Sequence, residues 1–488
     1  VWSTGWRWQL KPRSKLALSV VAAGAVVAMA IVPAQARGTF PQVPTSGPFA
    51  HKPHALGLPA SMMAHPDPEV GQANMLADRL QTLGQEGSQY GSTFAGVDLV
   101  DGRVDVYVVP LHDSAFLRAV AAADPGRVPY TIKFVKRGWT TLLAVRDWVT
   151  ARLSRLEGQG VRLSGWGPDV TANAVQVTFR APGARQLAEL HRAVSALRSG
   201  GHHLLGPAEA LVTRSTYARL ALAVVNAEAP VAGGIIADSA FQQLGRMTNG
   251  SADTSPFWGG DNIWYEVGNY DSCTSAFGTF NPNISGKVYT MTPAHCSYVE
   301  TALATGHTWY TCATKANGKC SYGVGNVNKM YWNNNEDMEL IGPAPGKSLE
   351  GNVWINQTDY WWAITGEADP ALDSLLTVDG WRTGAVPDST VTQLDGCQNL
   401  QFGIQGITPY WGTHTVCNLI TIVKNGAGPC TDGDSGGPVV VRLGSSGAAD
   451  AAAIIEGAHF VNGVVTECWA QPISYVLDLT GLDLTLGP

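Results

Sequence analysis

Charge is scarce in this sequence: Asp, Glu, Lys and Arg make up 15% of its 488 residues, against about 25% in ordinary soluble domains. That argues against a coiled coil or an acidic disordered tail. The 32 basic residues are outnumbered by 39 acidic ones, for a net charge of −7. There is no basic footprint for a phosphate backbone, so nucleic acid is not an expected partner. Cysteine is missing from the first 272 residues and no CxxC pair occurs, which speaks against a zinc ribbon. A second membrane-spanning run is also missing, because the apolar stretch Ala221 to Val225 is too short and continues a helical pattern from Leu211. No metal-ligand cluster and no phosphate-binding loop stands out, and neither metal nor cofactor is expected.

What is present divides the chain. A content of 45% hydrophobic residues is enough to bury a core, and the length suits two or three domains. Arg7, Lys11, Arg13 and Lys15 precede an apolar stretch from Leu16 to about Val32, followed by Ala34-Gln35-Ala36. A positive segment, an apolar run of this length and small residues after it are the features of an export signal over residues 1–36. A retained anchor is the competing reading, and signal removal would leave no stable membrane partner. Residues 37–64 are rich in Pro, Gly and His and read as a linker.

Residues 65–230 read as a small α+β unit. Helical periodicity covers Pro66 to Gly84, Ala115 to Ala123, Leu142 to Leu156 and Ala184 to Leu197. Val97 to Leu111 alternates as two strands around Asp101-Gly102, a hairpin turn signal, and Val175 to Phe179 alternates as another strand. His191, His202 and His203 lie close in sequence, but a His-His pair beside Gly reads as a surface turn. Residues 1–230 hold 23 basic and 15 acidic residues, and residues 231–488 hold 9 and 24. Opposite net charges suit an N-terminal unit that docks on the C-terminal one; compositional drift gives the same numbers.

Residues 231–255 read as a connecting or processing segment, and from about residue 256 short β-rich runs alternate with Gly/Asn/Asp turns. Val288-Thr290, Leu340-Ile341, Asn352-Ile355, Leu419-Val423, Val439-Arg442 and Ala453-Ile455 are the clearest. Many short strands without long helices indicate an all-β sandwich or barrel. All eight cysteines fall here: Cys273, Cys296, Cys312, Cys320, Cys397, Cys417, Cys430 and Cys468. An even count in an exported chain favours disulfides, but eight cysteines allow on the order of a hundred pairings.

Three short segments carry the chemistry. Gly433-Asp434-Ser435-Gly436-Gly437-Pro438 surrounds a serine with glycines that permit a tight turn and aim neighbouring amide N–H groups at one point. Thr292-Pro293-Ala294-His295-Cys296 puts a histidine after a strand, beside a cysteine that ties down the loop. Glu336-Asp337-Met338-Glu339 sets acids at the mouth of an apolar run. Each alone is ordinary: a turn, a loop histidine, a cap. Together they run His, Asp, Ser along the chain, 42 and 98 residues apart. That combination resembles the chymotrypsin-like serine peptidases, and in particular the secreted bacterial branch that contains streptogrisins and α-lytic protease. The resemblance covers roughly Phe257 to Val476, and the N-terminal unit resembles the pro-region of such enzymes.

The resemblance implies a double β-barrel over 256–488 and an extracellular zymogen that hydrolyses protein or peptide substrates, with its own pro-region docked on it. It implies Ser435 as nucleophile, His295 as general base and then acid, Asp337 as the residue orienting the imidazole, and the N–H groups of Gly433 and Ser435 as the oxyanion hole. It also implies the pairs Cys273–Cys296, Cys430–Cys468, Cys312–Cys320 and Cys397–Cys417. Proline at 293 replaces a small residue usual in the family, the Cys273 to Cys296 interval is long, and Gly457-Ala458-His459-Phe460-Val461 departs from the usual pocket wall. Gly426 to Pro429 offers no carboxylate to receive Lys or Arg, so small or apolar residues are expected before the scissile bond. Two other readings are a protease-like adhesion or binding module without activity, and an esterase. The α/β-hydrolase chain order would place both triad partners after Ser435, where His459 is the one histidine.

Overall fold

The Asp101-Gly102 pair turns the chain with both residues at positive φ, 49° and 72°. That geometry matches the twist of an antiparallel hairpin, here between β1 (Phe94–Val100) and β2 (Arg103–Val108). The computed structural model describes residues 68–85, 89–110, 114–124, 128–158, 163–179, 254–265, 272–297, 306–316, 319–333, 336–355, 360–402, 412–443, 447–461 and 464–487. The segments expected as export signal and linker, the helix expected over 184–197, His191, His202, His203 and residues 231–253 lie outside them.

In the N-terminal part, α1 (Pro68–Gly84) lies against the hairpin, and β3 (Tyr130–Phe134) adds to β2 in parallel after α2 (Ser114–Ala123). The single helix expected over 142–156 is two, α3 (Trp139–Thr150) and α4 (Leu153–Gly158). The Thr150 hydroxyl bonds back to the Arg146 carbonyl (3.0 Å) and accepts from Trp166 Nε1 (2.8 Å), a side-chain bond that competes with the helical ladder at its end. A hairpin of β4 (Leu163–Asp169) and β5 (Ala174–Phe179) follows.

The C-terminal part opens with β6 (Phe257–Gly259), β7 (Asn262–Tyr265), β8 (Ser272–Thr274), β9 (Thr279–Phe280) and β10 (Val288–Thr292). Next come β11 (Thr308–Ala316), β12 (Lys319–Asn333) and β13 (Glu336–Pro343). These pair in the order β9-β10-β13-β12-β11-β7-β8. The Ala276 N–H, between β8 and β9, donates to the Met291 carbonyl (2.7 Å), so the sheet returns on itself as a barrel. Strands β14 (Leu349–Ile355) and β15 (Tyr360–Glu367) lead to the second barrel. It consists of β16 (Leu375–Gly380), β17 (Gly384–Phe402), β18 (Gly412–Val423), β19 (Pro438–Arg442), β20 (Ala448–Val461) and β21 (Val464–Pro472). Its order is β19-β16-β17-β18-β21-β20, and a β19–β20 pairing closes the ring. Helix α5 (Ile473–Thr480) and β22 (Asp483–Leu484) end the chain, β22 pairing back onto β9. Among the described residues no helix is long and apolar enough to cross a membrane.

Apolar burial holds each unit. Ile263, Trp309, Val324 and Ile341 fill the first barrel, and Met291, Met338, Val440 and Ile454 belong to a second cluster that joins both barrels. The core of the second barrel, with Leu376, Val391, Ile420 and Val439, is continuous with Leu76, Leu80, Val97 and Phe94 of the N-terminal part. Strand β4 extends the second barrel's sheet, with Trp166 opposite Cys397 and Gly165 opposite Gln398 on β17. Arg146 donates to the Asp395 carbonyl (3.0 Å) and to Asn418 Oδ1 (2.7 Å).

Strand β4 lies close to β17 because it carries glycine. A Cβ at Gly167 would stand 2.8 Å from the Gly396 Cα, a backbone atom with nowhere to go. Gly167→Val is expected to cost about 1–3 kcal/mol of unfolding free energy. Denaturant titration should resolve that loss, and Gly158→Ala, where a Cβ meets nothing within 4 Å, should lack it.

Helix α1 fixes the junction through Asp78. Its Oδ1 accepts from the Ala371 N–H (3.1 Å) and from the Ser374 hydroxyl, and Asn74 Oδ1 accepts from the Leu375 N–H (2.6 Å). Burial pushes the Asp78 carboxyl up to about 7, against the pull of Ser374 and Ala371. A carboxyl raised in the folded state favours folding while protonated, so its contribution is full below about pH 4 and is lost as pH rises through 7. Unfolding free energy should fall by up to about 1.4 kcal/mol per pH unit over that window. Thermal melts between pH 5 and 8 should show a flatter profile for Asp78→Asn.

Candidate active site

The Gly433–Pro438 loop leads into β19 and is held from both sides. Cys430 is bonded to Cys468 on β21. The Asp434 carboxylate is fully buried and accepts from the N–H groups of Thr431 (2.8 Å), Arg382 (2.9 Å) and Thr383 (3.1 Å), and from the Thr383 hydroxyl. Burial raises its pKa despite these donors. Asp434 thus staples the loop to the β16–β17 turn. Gly436 has φ +87°, and a Cβ there would stand 1.9 Å from the Thr274 carbonyl oxygen, so the sharp turn that presents Ser435 requires glycine. Among the described residues, the backbone N–H groups of Gly433 and Ser435 donate to no protein acceptor.

His295 sits in the middle of a short 3-10 turn (Ala294–Cys296) that directly follows β10. The Cys273–Cys296 disulfide anchors this turn to β8, and Thr292 Oγ1 donates to the Thr274 carbonyl (3.0 Å). Asp337 lies on β13, opposite Trp332 of β12, and is fully buried. Its Oδ1 accepts from the His295 backbone N–H at 2.8 Å, and its Oδ2 lies 2.6 Å from His295 Nδ1. His295 Nε2 lies 3.0 Å from Ser435 Oγ. A carboxylate only accepts, so the ring proton belongs on Nδ1 and Nε2 is free to accept from the serine hydroxyl. Two groups from the first barrel and one from the second meet between them, and the Thr274 N–H donates to the Ser435 carbonyl (2.7 Å) across the same seam. Ser435 retains 8% exposure, against 2% for His295.

Two buried acids beside this chain escaped the reading of the sequence. Glu339, two residues after Asp337, accepts from the Ser297 hydroxyl and from Trp309 Nε1 (2.8 Å), so it ties the turn after His295 to the first barrel. Burial holds its carboxyl well above the ordinary range. Glu456, on β20, is 1% exposed, and one polar atom each of His295, Asp337 and Glu456 lie within 4.8 Å of one another. A lone acid directly after the apolar run Ala451 to Ile455 was the signal available for it.

The remaining cysteines pair as Cys312–Cys320 and Cys397–Cys417. In the segment Gly457 to Val461, His459 stacks on Trp469 with 5.8 Å between ring centroids. Its Nδ1 lies 3.0 Å from Thr466 Oγ1, and burial lowers its pKa.

No family model and no curated protein matches the chain. Among solved structures it is similar to Thermobifida fusca protease A, with 21% identity, 47% of this chain and 98% of that one covered, and a TM-score of 0.33. It is similar to a glutamic acid-specific serine protease that uses a histidine triad in substrate binding (21% identity, 46% and 99% covered, TM-score 0.34). It is also similar to a chymotrypsin of Cellulomonas bogoriensis (21% identity, 46% and 97% covered, TM-score 0.32). On its own strand pairings, the C-terminal part is a chymotrypsin-like double β-barrel, preceded by a small α+β part.

Proposed function

We propose that this chain is a secreted serine endopeptidase, made as a zymogen, that cleaves peptide bonds through Ser435, His295 and Asp337. The observation that carries the reading is the unbroken hydrogen-bonded line Asp337–His295–Ser435 across the two barrels. A serine hydroxyl is a weak nucleophile until a base takes its proton. Ser435 Oγ attacks the substrate carbonyl carbon while His295 Nε2 takes the hydroxyl proton, and Asp337 stabilises the resulting imidazolium. The carbonyl electron pair moves onto oxygen, where the N–H groups of Gly433 and Ser435 receive it. His295 then returns the proton to the departing amine as the C–N bond breaks, leaving Ser435 acylated. Water repeats the sequence in reverse order of bonds and frees the acid.

In this reading residues 65–230 are a pro-region docked on the second barrel and released after cleavage within 231–255. The shared apolar cluster and the β4–β17 pairing support the docking. The pocket accepts small or apolar residues before the scissile bond, and a peptide panel in which Arg is cleaved best would overturn that part.

The test of the activity is a fluorophosphonate probe on processed, secreted protein, followed by peptide mapping. A single adduct on Ser435 together with peptide turnover supports the endopeptidase. An adduct with ester but no peptide turnover makes the chain an esterase, and no adduct on the processed form makes it a binding module.

A further inference from the structure

We propose that Glu456 is a neutral carboxylic acid whose proton is hydrogen-bonded to the Asp337 carboxylate, making it a positioning residue for the His295–Asp337 pair. The inference deepens the reading of this site as a serine-nucleophile centre, though the position of the proton stands apart from it.

The argument begins with what Glu456 lacks. It is 1% exposed, and among the described residues neither of its carboxyl oxygens receives a hydrogen bond from a donor. An ionised carboxylate needs donors or a cation when removed from water. Among the described residues, the titratable groups that face Glu456 are Asp337 of β13 and His295 of the turn after β10. Asp337 already receives two donors, the backbone and ring N–H groups of His295. Two carboxyls this close and this dry share one charge between them. The charge rests where the donors are, on Asp337, and the proton rests on Glu456. Burial first, and then the charge of Asp337, hold the Glu456 carboxyl well above its ordinary range.

The side chain is aimed by the same backbone that fixes the nucleophile. On either side of the seam the Gly436 N–H donates to the Ile455 carbonyl (2.7 Å), and the Ile455 N–H donates to the Gly437 carbonyl (2.9 Å). Glu456 therefore follows directly on the residue that clamps the Ser435 loop. A neutral acid there gives Asp337 a third donor without adding charge. An ionised one would set a second negative charge beside the imidazole and raise its proton affinity. The donor acts on kcat through the orientation of His295, with substrate binding left unchanged.

Two variants separate charge from hydrogen bonding. Glu456→Gln keeps a donor and loses the ability to ionise; Glu456→Leu loses both at similar size. An infrared difference spectrum of secreted wild-type protein minus Glu456→Gln at pH 7 is expected to contain a protonated-carboxyl C=O band. A difference holding only ionised-carboxylate bands overturns the proposal. That readout needs no turnover, so it decides the proton even if the chain hydrolyses nothing. In peptide hydrolysis, Glu456→Gln is expected within about threefold of wild type and Glu456→Leu about tenfold or more below it in kcat, with KM unchanged. Equal kcat and identical pH profiles for all three proteins would overturn the positioning role.

Discussion

Ser435→Ala should lower kcat for peptide hydrolysis by about 10⁴–10⁶-fold while leaving KM within a few-fold of wild type. Removing Oγ deletes the one atom that forms a bond to substrate, and the group 3.0 Å away, His295 Nε2, then has no proton to take. The N–H groups of Gly433 and Ser435 belong to the backbone and survive the change. Residual turnover over water therefore measures what they contribute without a nucleophile. Because Ser435 is nearly buried and its loop is held by the Asp434 staple and the Cys430–Cys468 disulfide, the variant should melt within about 1 kcal/mol of wild type. Steady-state kinetics with matched thermal melts checks both halves. A loss of activity below tenfold would remove Ser435 from the chemistry.

Asp337→Asn should lower kcat by about 10⁴-fold at neutral pH. The substitution is isosteric, so the backbone N–H of His295 keeps an oxygen to donate to. The ring does not fare as well. An amide NH2 facing Nδ1 turns that nitrogen into an acceptor, which moves the ring proton to Nε2 and points it at Ser435 Oγ. The base is then protonated on the nitrogen that must accept. Burial sharpens the effect, since Asp337 is fully inaccessible and water cannot restore the tautomer. Titration of the imidazole by NMR, beside the kinetics, would separate a tautomer change from a collapsed site. An unchanged ring signal with the full loss of rate would argue against this account.

How much of this was legible in the sequence depends on the range of the interaction concerned. The Asp101-Gly102 hairpin, helix α1 and the strands around the three motifs follow from local alternation and turn chemistry, and the structure contains them. Strand β4 was not legible, because Gly165, Gly167 and Pro168 lower its intrinsic strand preference. Those glycines serve a contact with β17 more than 220 positions away. Strand β3 alternates apolar and polar residues over five positions but is exposed along most of its length, so no buried face goes with the pattern. At the site, the His, Asp and Ser segments stand out because each lies in a distinctive string. Glu456 does not, since its partner Asp337 lies 119 positions upstream and nothing in the intervening chain announces the contact.

The pairing of β4 with β17 has a consequence for the C-terminal part on its own. Beyond the stretch that pairs with β16, the β17–β18 hairpin runs out of the barrel, and at Cys397 and Gln398 its outer side is covered by β4. Were β4 to leave, that side would present unpaired N–H and C=O groups beside the Cys397–Cys417 crosslink. Such an edge is a template for any other extended chain, whether a second copy of this protein or a peptide laid alongside it. The N-terminal part would then also guard against self-association, and the concentration at which the isolated barrels remain monodisperse would report how well the hairpin manages without it.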